Sequence, residues 1–452
     1  WWNKMFDYNK IVNDFGLDLQ TSKDILDAIQ QWSKIYNKNE PWIDKNTISL
    51  HTAKTISEKV AESTVVEFKS SCDDPYIDKI YQKFLKKLQT NVEYMVGKSC
   101  IYFRPYYNNG NINVNVIQAD KFIPVRFNDD GDLLSCIIID QITKESTIYT
   151  RLEYNELIDN KLVVKNIAYK GRKSGVILES KISLNSVDKW KDLEEVSAIE
   201  GVDRLLGGFS TTGIANTVDN SSPIGMPIWF NAIDTLKEID KQFSRTLWEF
   251  EGSELAIDID ETMLQKDKKG NYIMPKGKNR LYRTIRDAKD KGYNVFSPEI
   301  RDTSLFNGLN ELLRQAEIQC HLEYGTLCKI DQKEKTATEI KSVKQSYHTT
   351  IKNIQTSMQQ AFDDLIYSIY VLCKLYNIPV NANYVVEYDW DDSILVDKDS
   401  ARAQSMIERN NDITSDVQYI METRNMKEKE AIEFVKKQKE YRKLTEESEE
   451  TP

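Results

Sequence analysis

Positive charge packed into a short stretch is the first chemistry this sequence offers. Between residues 264 and 291 ten Lys and Arg (Lys266, Lys268, Lys269, Lys276, Lys278, Arg280, Arg283, Arg286, Lys289, Lys291) stand against Asp267, Asp287 and Asp290, a net +7 in a chain that is acidic overall. Such an island can steer an acidic partner or touch phosphate, although a solvated hairpin surface has the same composition. A nucleotide motor needs a glycine-rich loop whose amides cradle phosphates, with a Lys and a Ser or Thr behind it. Gly97-Lys98-Ser99 comes nearest, but Val92 stands where a Gly is required, and the order reads helix then strand, the reverse of that motif. No GxSxG elbow, HExxH or GxGxxG is present, and His51, His321 and His348 lie far apart with no nucleophile beside them. His321 and His348 read as ordinary helix residues. Asp389, Asp391 and Asp392 around Trp390, and Asp258, Asp260 and Glu261, carry oxygens suited to a hard cation. They lack the Gly-punctuated spacing of a calcium loop and read as solvated turns. No catalytic residue, metal site or cofactor is expected.

The elements that would carry these residues follow from periodicity. Apolar residues at helical spacing predict helices over 24–36, 48–65 and 76–96. Alternation then takes over: 99–107 and 112–116 flank the turn Asn108-Asn109-Gly110-Asn111, and 122–127 and 133–140 flank Asp129-Asp130-Gly131-Asp132. Further strands are expected at 146–154, 162–169 and 175–179, giving a β-rich module of antiparallel meanders. A long helix opens after Ser221-Ser222-Pro223, carries Trp229, Ile233, Leu236, Ile239, Phe243, Leu247 and Phe250, and ends at Gly252. Residues 255–260 form a strand whose partner, 281–285, follows the Lys268-Lys269-Gly270-Asn271 turn. A helix over 304–324 comes next, and 326–378 contains no Gly or Pro. If helical from 338 to 376, this stretch is a rod of about 58 Å at 1.5 Å per residue. One more strand is expected at 384–388, and 400–443 is helical with a charged, solvated tail.

Composition bounds the class. The chain has 452 residues, 61 Lys and Arg against 71 Asp and Glu, and a formal net charge of −10. Hydrophobic residues make up 40%, with only 17 Gly and 10 Pro, so the chain is folded and not low-complexity. A net −10 excludes a protein that coats duplex DNA, which needs many Lys/Arg–phosphate contacts, and leaves room for a channel through which DNA slides. Six scattered cysteines without a CxxC pair indicate reduced thiols in a cytoplasmic setting, with neither a zinc site nor a disulfide framework. No apolar run reaches the roughly 18 residues a transmembrane helix needs. The chain begins Trp1-Trp2-Asn3-Lys4 with no Met and no signal or transit pattern, so an ordered piece lacking its extreme start is expected.

Several passages, in order, resemble the portal protein family of long-tailed double-stranded DNA bacteriophages. Residues 32–42 (WSKIYNKNEPW) resemble the family's early tryptophan-rich helix, and 117–127 (IQADKFIPVRF) with the Asp130-Gly131 turn its Phe-x-Pro strand. Residues 149–157 (YTRLEYNEL) resemble its next strand, 225–250 its first stem helix, and Thr336-Ala337-Thr338-Glu339-Ile340 the start of its long tunnel helix. Each motif is short and the collinear order carries the resemblance. Residues 187–222 match no passage, and their place in the fold stays open.

The resemblance implies an α+β, predominantly helical and elongated subunit that assembles into a ring, expected to be a dodecamer. It implies a wing of helices plus antiparallel β module (1–222), two stem helices (223–251 and 303–327), a small α/β clip (252–302) and a tunnel loop (328–335). A very long tunnel helix with a returning wing strand (336–396) and a crown with a polar tail (397–452) complete it. Lys329, Lys333 and Lys335 would face DNA from the tunnel loop, and Lys266, Lys268, Lys269, Lys276, Lys278, Arg280 and Arg283 would dock the motor or adaptor from the clip. The implied partners are other copies of the chain, the terminase large subunit, the head–tail adaptor, the major capsid and scaffolding proteins, and double-stranded DNA passing without sequence preference; no membrane is involved. The implied location is the capsid vertex of the virion, with assembly in the host cytoplasm. The implied function is non-enzymatic, a conduit for DNA packaging and ejection. A nuclease or ATPase subunit of the packaging machine and a coiled-coil scaffold are the alternatives; the missing phosphate loop weighs against the first, the β module and clip-like insert against the second.

Overall fold

The structure, a computed structural model, describes residues 7–172, 176–253, 256–260, 265–270, 273, 282–285, 293–296, 299–329, 337–390, 405–411, 413–424, 426 and 428–449. Among the described residues it combines helices with four sheets, the largest of them built on five sequential antiparallel strands with a sixth added, an α+β architecture. The chain divides into a large unit (1–65 and 70–388) and a small one (66–69 and 389–452).

The large unit begins with helices α1 (Tyr8–Phe15), α2 (Lys23–Tyr36) and α3 (Thr52–Val65). Asp7 and Ser22 cap the first two, each accepting a bond from a backbone N–H of the first turn, which a helix start leaves unpaired. The helix expected over 76–96 is two helices, α4 (Pro75–Leu85) and α5 (Leu88–Lys98). Their buried residues continue one helical period, so spacing hides the break. The break arises because α4 packs on the long helix and a strand of the first hairpin, whereas α5 packs on α3 and α2. A four-residue strand, β1 (Lys69–Cys72), precedes α4; no alternation announces it, and it pairs with β14 (Val386–Asp389).

The expected meander forms. Strands β2 (Cys100–Asn108) and β3 (Asn111–Gln118) make the first hairpin, with Gly110 at φ 82° in its turn, where a side chain would be strained. Strands β4 (Phe122–Phe127), β5 (Leu133–Lys144), β6 (Thr147–Ile158), β7 (Lys161–Arg172) and β8 (Ser180–Ile182) follow in sequence order in one antiparallel sheet. The last strand therefore starts later than expected: 176–179 are turn and coil, and 175 lies outside the described residues. One face of this sheet packs Ile123, Val125, Ile137, Ile139, Leu152 and Tyr154 against Tyr8, Ile11 and Leu26 of α1 and α2. On the same chain stretch Trp190 closes a smaller core with Ala168, Leu184 and Val187.

Residues 187–222, open in the sequence, supply two strands. β9 (Val196–Glu200) pairs with β7, and β10 (Gly208–Thr211) pairs with β2. The helix expected from Ser221 onward starts later. Residues 224–227 are irregular and 228–229 form a turn, with Ile224, Met226 and Trp229 almost fully enclosed. Pro223 and Pro227 lack N–H groups and hold their predecessors extended. The segment's carbonyls are satisfied by side chains instead: Thr212 Oγ1 donates to Met226 O at 2.6 Å and Asn216 Nδ2 to Ile224 O at 2.9 Å.

α6 (Ile233–Gly252) then runs to the insert, and α7 (Asp302–Gln319) returns from it. The described part of the insert contains three strands, β11 (Ala256–Asp260), β12 (Tyr282–Ile285) and β13 (Tyr293–Phe296), and a turn over 265–270. β12 does pair with β11, but in parallel, so the two are not one hairpin; β13 is the antiparallel neighbour. The long helix α8 (Ala337–Leu375) has 39 residues, close to the expected span. Its Ile351, Ile354, Met358, Phe362, Leu365 and Ile369 are fully buried. Each is worth about 1.5–3 kcal/mol relative to exposure. Tyr81, Phe84, Phe103 and Tyr388 surround Phe362 with ring centroids 5.9–6.4 Å away.

In the small unit, Phe68 stacks on Trp390 at 3.9 Å, and helices Asp416–Arg424 and Glu428–Glu449 pack together. The helix expected over 400–443 is thus broken, at least at 413–415.

Candidate functional site

The basic insert and the loop ahead of α8 are carried by the α6/α7 pair, and side chains show how the pair is built. Thr235 Oγ1 donates to Gln319 Oε1 at 2.7 Å, Gln242 Nε2 to Leu305 O at 3.3 Å, and Arg301 Nη2 meets Glu249 Oε2 at 2.8 Å. The start of α6 lies against the end of α7 and the reverse, so the helices are antiparallel and the insert crosses their tip. Arg301 Nε also reaches Glu249 Oε1 at 3.0 Å. The guanidinium fork thus clamps the two ends of the insert to each other and holds the Glu249 carboxyl below its ordinary range.

At the opposite side of α6 the buried Asp240 receives Trp42 Nε1 and the Leu50 N–H, both at 2.8 Å, while Ser244 Oγ receives the Ile48 N–H at 2.8 Å. Burial pushes the Asp240 pKa up against these donors. The loop that follows the early tryptophan-rich helix is therefore seated on α6.

The loop toward α8 is organised by one carboxylate. Glu317, 1% exposed, accepts from the N–H groups of Gly325 at 3.3 Å, Leu327 and Cys328 at 2.9 Å, and from Cys328 Sγ at 3.1 Å. Burial, and then the Glu317 charge, raise the Cys328 thiol to about 11, so it stays protonated and donates. Nothing in the sequence marks Glu317 beyond a charge beside Ala316 on the inner face of a helix.

The residues expected to act here fall as follows. Lys329 is exposed at the end of this loop, with its backbone N–H bonded to Asn310 Oδ1 at 2.7 Å. Lys333 and Lys335 lie outside the described residues. Lys266, Lys268 and Lys269 are exposed on a turn, where Asp267 Oδ1 accepts the Lys269 N–H at 2.7 Å and Gly270 takes φ 86°. Arg283 stands on β12 opposite Asp258 in the parallel register. Lys276, Lys278 and Arg280, like Arg286, Lys289 and Lys291, lie outside the described residues, so the structure describes only part of the basic island.

The other chemical candidates resolve into structural roles. Lys98 is 2% exposed, with Nζ 2.8 Å from Gln118 Oε1 and 3.4 Å from Asp120 Oδ1; burial lowers its pKa. Gly97 packs where a Cβ would sit 2.5 Å from the Tyr36 ring. This is a helix end sealed into the core, unable to cradle a phosphate. His51 Nε2 lies 2.7 Å from Tyr36 O. His348 is on α8, but His321 is not a helix residue. It sits past the end of α7 with φ 54°, its Nδ1 3.1 Å from Ser346 Oγ. Of the carboxylates considered for a cation, Glu261, Asp391 and Asp392 lie outside the described residues. Among the described residues no group of three or more His, Cys, Asp or Glu could hold a metal ion. All six cysteines are free and buried.

The identity rests on the chain as a whole. The family model for phage portal proteins, SPP1 Gp6-like, matches residues 7–450. This chain is a phage portal protein. The match spans nearly the whole sequence, including 187–222, which resembled no passage of the family. No curated protein matches the chain. The portal family is structural and non-enzymatic, and it implies a homo-oligomeric ring at the capsid vertex that interacts with capsid and packaging proteins. Among the described residues no helix is long and apolar enough to cross a membrane.

Proposed function

We propose that this portal protein forms a dodecameric ring whose insert, residues 252–302, docks the packaging motor and later the head–tail adaptor, with DNA passing through the centre. In this reading 1–222 are the wing, 223–251 and 303–327 the stem, 328–335 the tunnel loop, 336–396 the tunnel helix with its returning strand, and 397–452 the crown. Terminase large subunit, scaffolding and major capsid proteins are the partners during assembly in the host cytoplasm.

The observation that carries the reading is the antiparallel α6/α7 pair with a lysine-bearing turn at its tip. Exposed apolar side chains on that pair support it: Trp248 is 67% exposed, Ile318 56% and Phe306 46%. Two helices alone cannot cover apolar groups on their outer faces, and neighbouring copies in a ring would. Electron microscopy of the purified full chain tests it. Rings with a central channel are expected; a monodisperse monomer at high concentration counts against the reading. For the tunnel loop, replacing Lys329, Lys333 and Lys335 with Ala should alter DNA packaging or retention and leave rings intact. Loss of the ring would assign these lysines a structural role instead.

A further inference from the structure

The C-terminal unit contains a cleft of about 210 Å³ at helices Asp416–Arg424 and Glu428–Glu449. Three cations line it, Arg409, Arg424 and Lys439, against one carboxylate, Asp416. Asp416 already engages Arg409 Nε at 2.8 Å and lies 3.8 Å from Lys439 Nζ, so it does not discharge the cleft, which keeps an excess of two positive charges. Arg424 makes no ion pair among the described residues. Its guanidinium lies 4.6 Å above the Phe434 ring, and that of Arg409 lies 5.1 Å above Tyr419.

An arginine laid on an aromatic face has one side of its plane covered and its N–H edge free. That edge matches two oxygens of a phosphate, and the weakly hydrated guanidinium gives up water readily. Arg424 and the Lys439 ammonium, with Arg409 offering only the N–H groups that the bond of its Nε to Asp416 leaves, make one small cleft a receptor for a tetrahedral oxyanion. Periodicity predicts only a helix over 400–443 here, because the cations are spread over 31 residues and only the helix pairing collects them.

We propose that this cleft binds backbone phosphates of nucleic acid, with duplex DNA as the source. The choice of DNA rests on the portal reading; the phosphate chemistry does not. A net excess of two charges per copy gives a weak, sequence-independent attachment, and repetition around a ring would multiply it without holding the DNA fast.

The test is fluorescence anisotropy of the full chain with a labelled duplex over a salt series. It compares the unaltered protein, Arg424→Gln/Lys439→Gln, Lys439→Glu alone and Arg424→Lys. The double variant should bind about tenfold or more weakly at low salt, and its slope of log K on log salt should fall by about one for each phosphate it no longer neutralises. Lys439→Glu leaves the Arg424–Phe434 stack in place, so its loss of affinity with unchanged helical circular dichroism supports the cleft even if the double variant unfolds. Arg424→Lys should retain intermediate affinity. Wild-type affinity and slope in Lys439→Glu or in the folded double variant overturn the proposal. Calorimetric uptake of inorganic phosphate with DNA affinity unchanged in the variants also overturns it, leaving a small-anion site. Electron microscopy of the same samples separates the two readings. Rings with unaltered DNA binding sink the cleft and spare the portal reading, whereas lost DNA binding without rings supports the cleft and sinks the ring.

Discussion

Glu153 is fully enclosed, yet both of its oxygens are engaged: Arg104 Nη2 lies 2.6 Å from Oε1 and Arg151 Nη1 2.6 Å from Oε2, with Arg151 also 2.7 Å from Asn166 Oδ1. Burial pushes this carboxyl up, but the two guanidinium charges outweigh it and hold it below the ordinary carboxylate value. A depressed folded pKa contributes stability that is complete above the unfolded value of about 4.3 and is lost as pH falls through the folded value. Glu153→Gln leaves Arg104 without its carboxylate and Arg151 with only that of Asp140, 3.9 Å away, which costs about 3–5 kcal/mol at neutral pH. Urea unfolding at pH 7 and near pH 3 should show a gap between variant and parent that narrows on acidification; a gap independent of pH would remove the ionic explanation. Glu317 gives a second residue-scale expectation. Glu317→Ala strands the N–H groups of Leu327 and Cys328, at about 1–3 kcal/mol for each buried unpaired group. Limited trypsin digestion should cut after Lys329 faster in Glu317→Ala than in the parent, with Glu317→Gln in between because it keeps one acceptor oxygen. Neither network was readable beforehand, since Glu153 sits in a strand and Glu317 in a helix at positions whose burial depends on neighbours far along the chain.

At the scale of elements, the joint between β10 and α8 shows the same limit. Gly208 brings the strand backbone so close to α8 that a Cβ would lie 1.9 Å from the Ala361 carbonyl oxygen. Next to it Ser210 Oγ and Ser357 Oγ are 2.9 Å apart, and Ser357 Oγ accepts the Thr211 N–H at 3.1 Å. Gly208→Ala should therefore force strand and helix apart at about 1–3 kcal/mol, read as a lower denaturant midpoint. Ala361→Gly added to it should give no rescue, because the obstacle is a main-chain oxygen. The helices and hairpins themselves were legible, since their apolar positions repeat at 3.6 or 2 residues. The break between α4 and α5, the strand β1 and the irregular run before α6 were not. Each is set by what packs against it, and local periodicity is identical or silent there.

For the whole molecule, charge distribution is the informative property. The net −10 coexists with a +7 island in residues 264–291, so the remaining chain is more acidic than the average. Long-range attraction of a partner to that island is screened by salt, with a Debye length of about 10 Å at 0.1 M. Reversing Lys268, Lys269 and Lys278 to Glu should weaken binding of the motor or adaptor at low salt and leave ring formation unchanged. Binding unaffected at low salt would take the docking role from the insert.

The portal resemblance, the α+β class, the long helix and the absence of a phosphate loop could all be read from the residues in order, because motif order and periodicity survive in one dimension. The clamp of Arg301 on Glu249, the Glu317 loop, the parallel β11–β12 pair and the collected cations of the C-terminal cleft emerged only in three dimensions. Each joins residues from 7 to 52 positions apart. Such partners are chosen by packing geometry, and a linear pattern carries no record of which distant side chains that geometry brings within hydrogen-bonding reach.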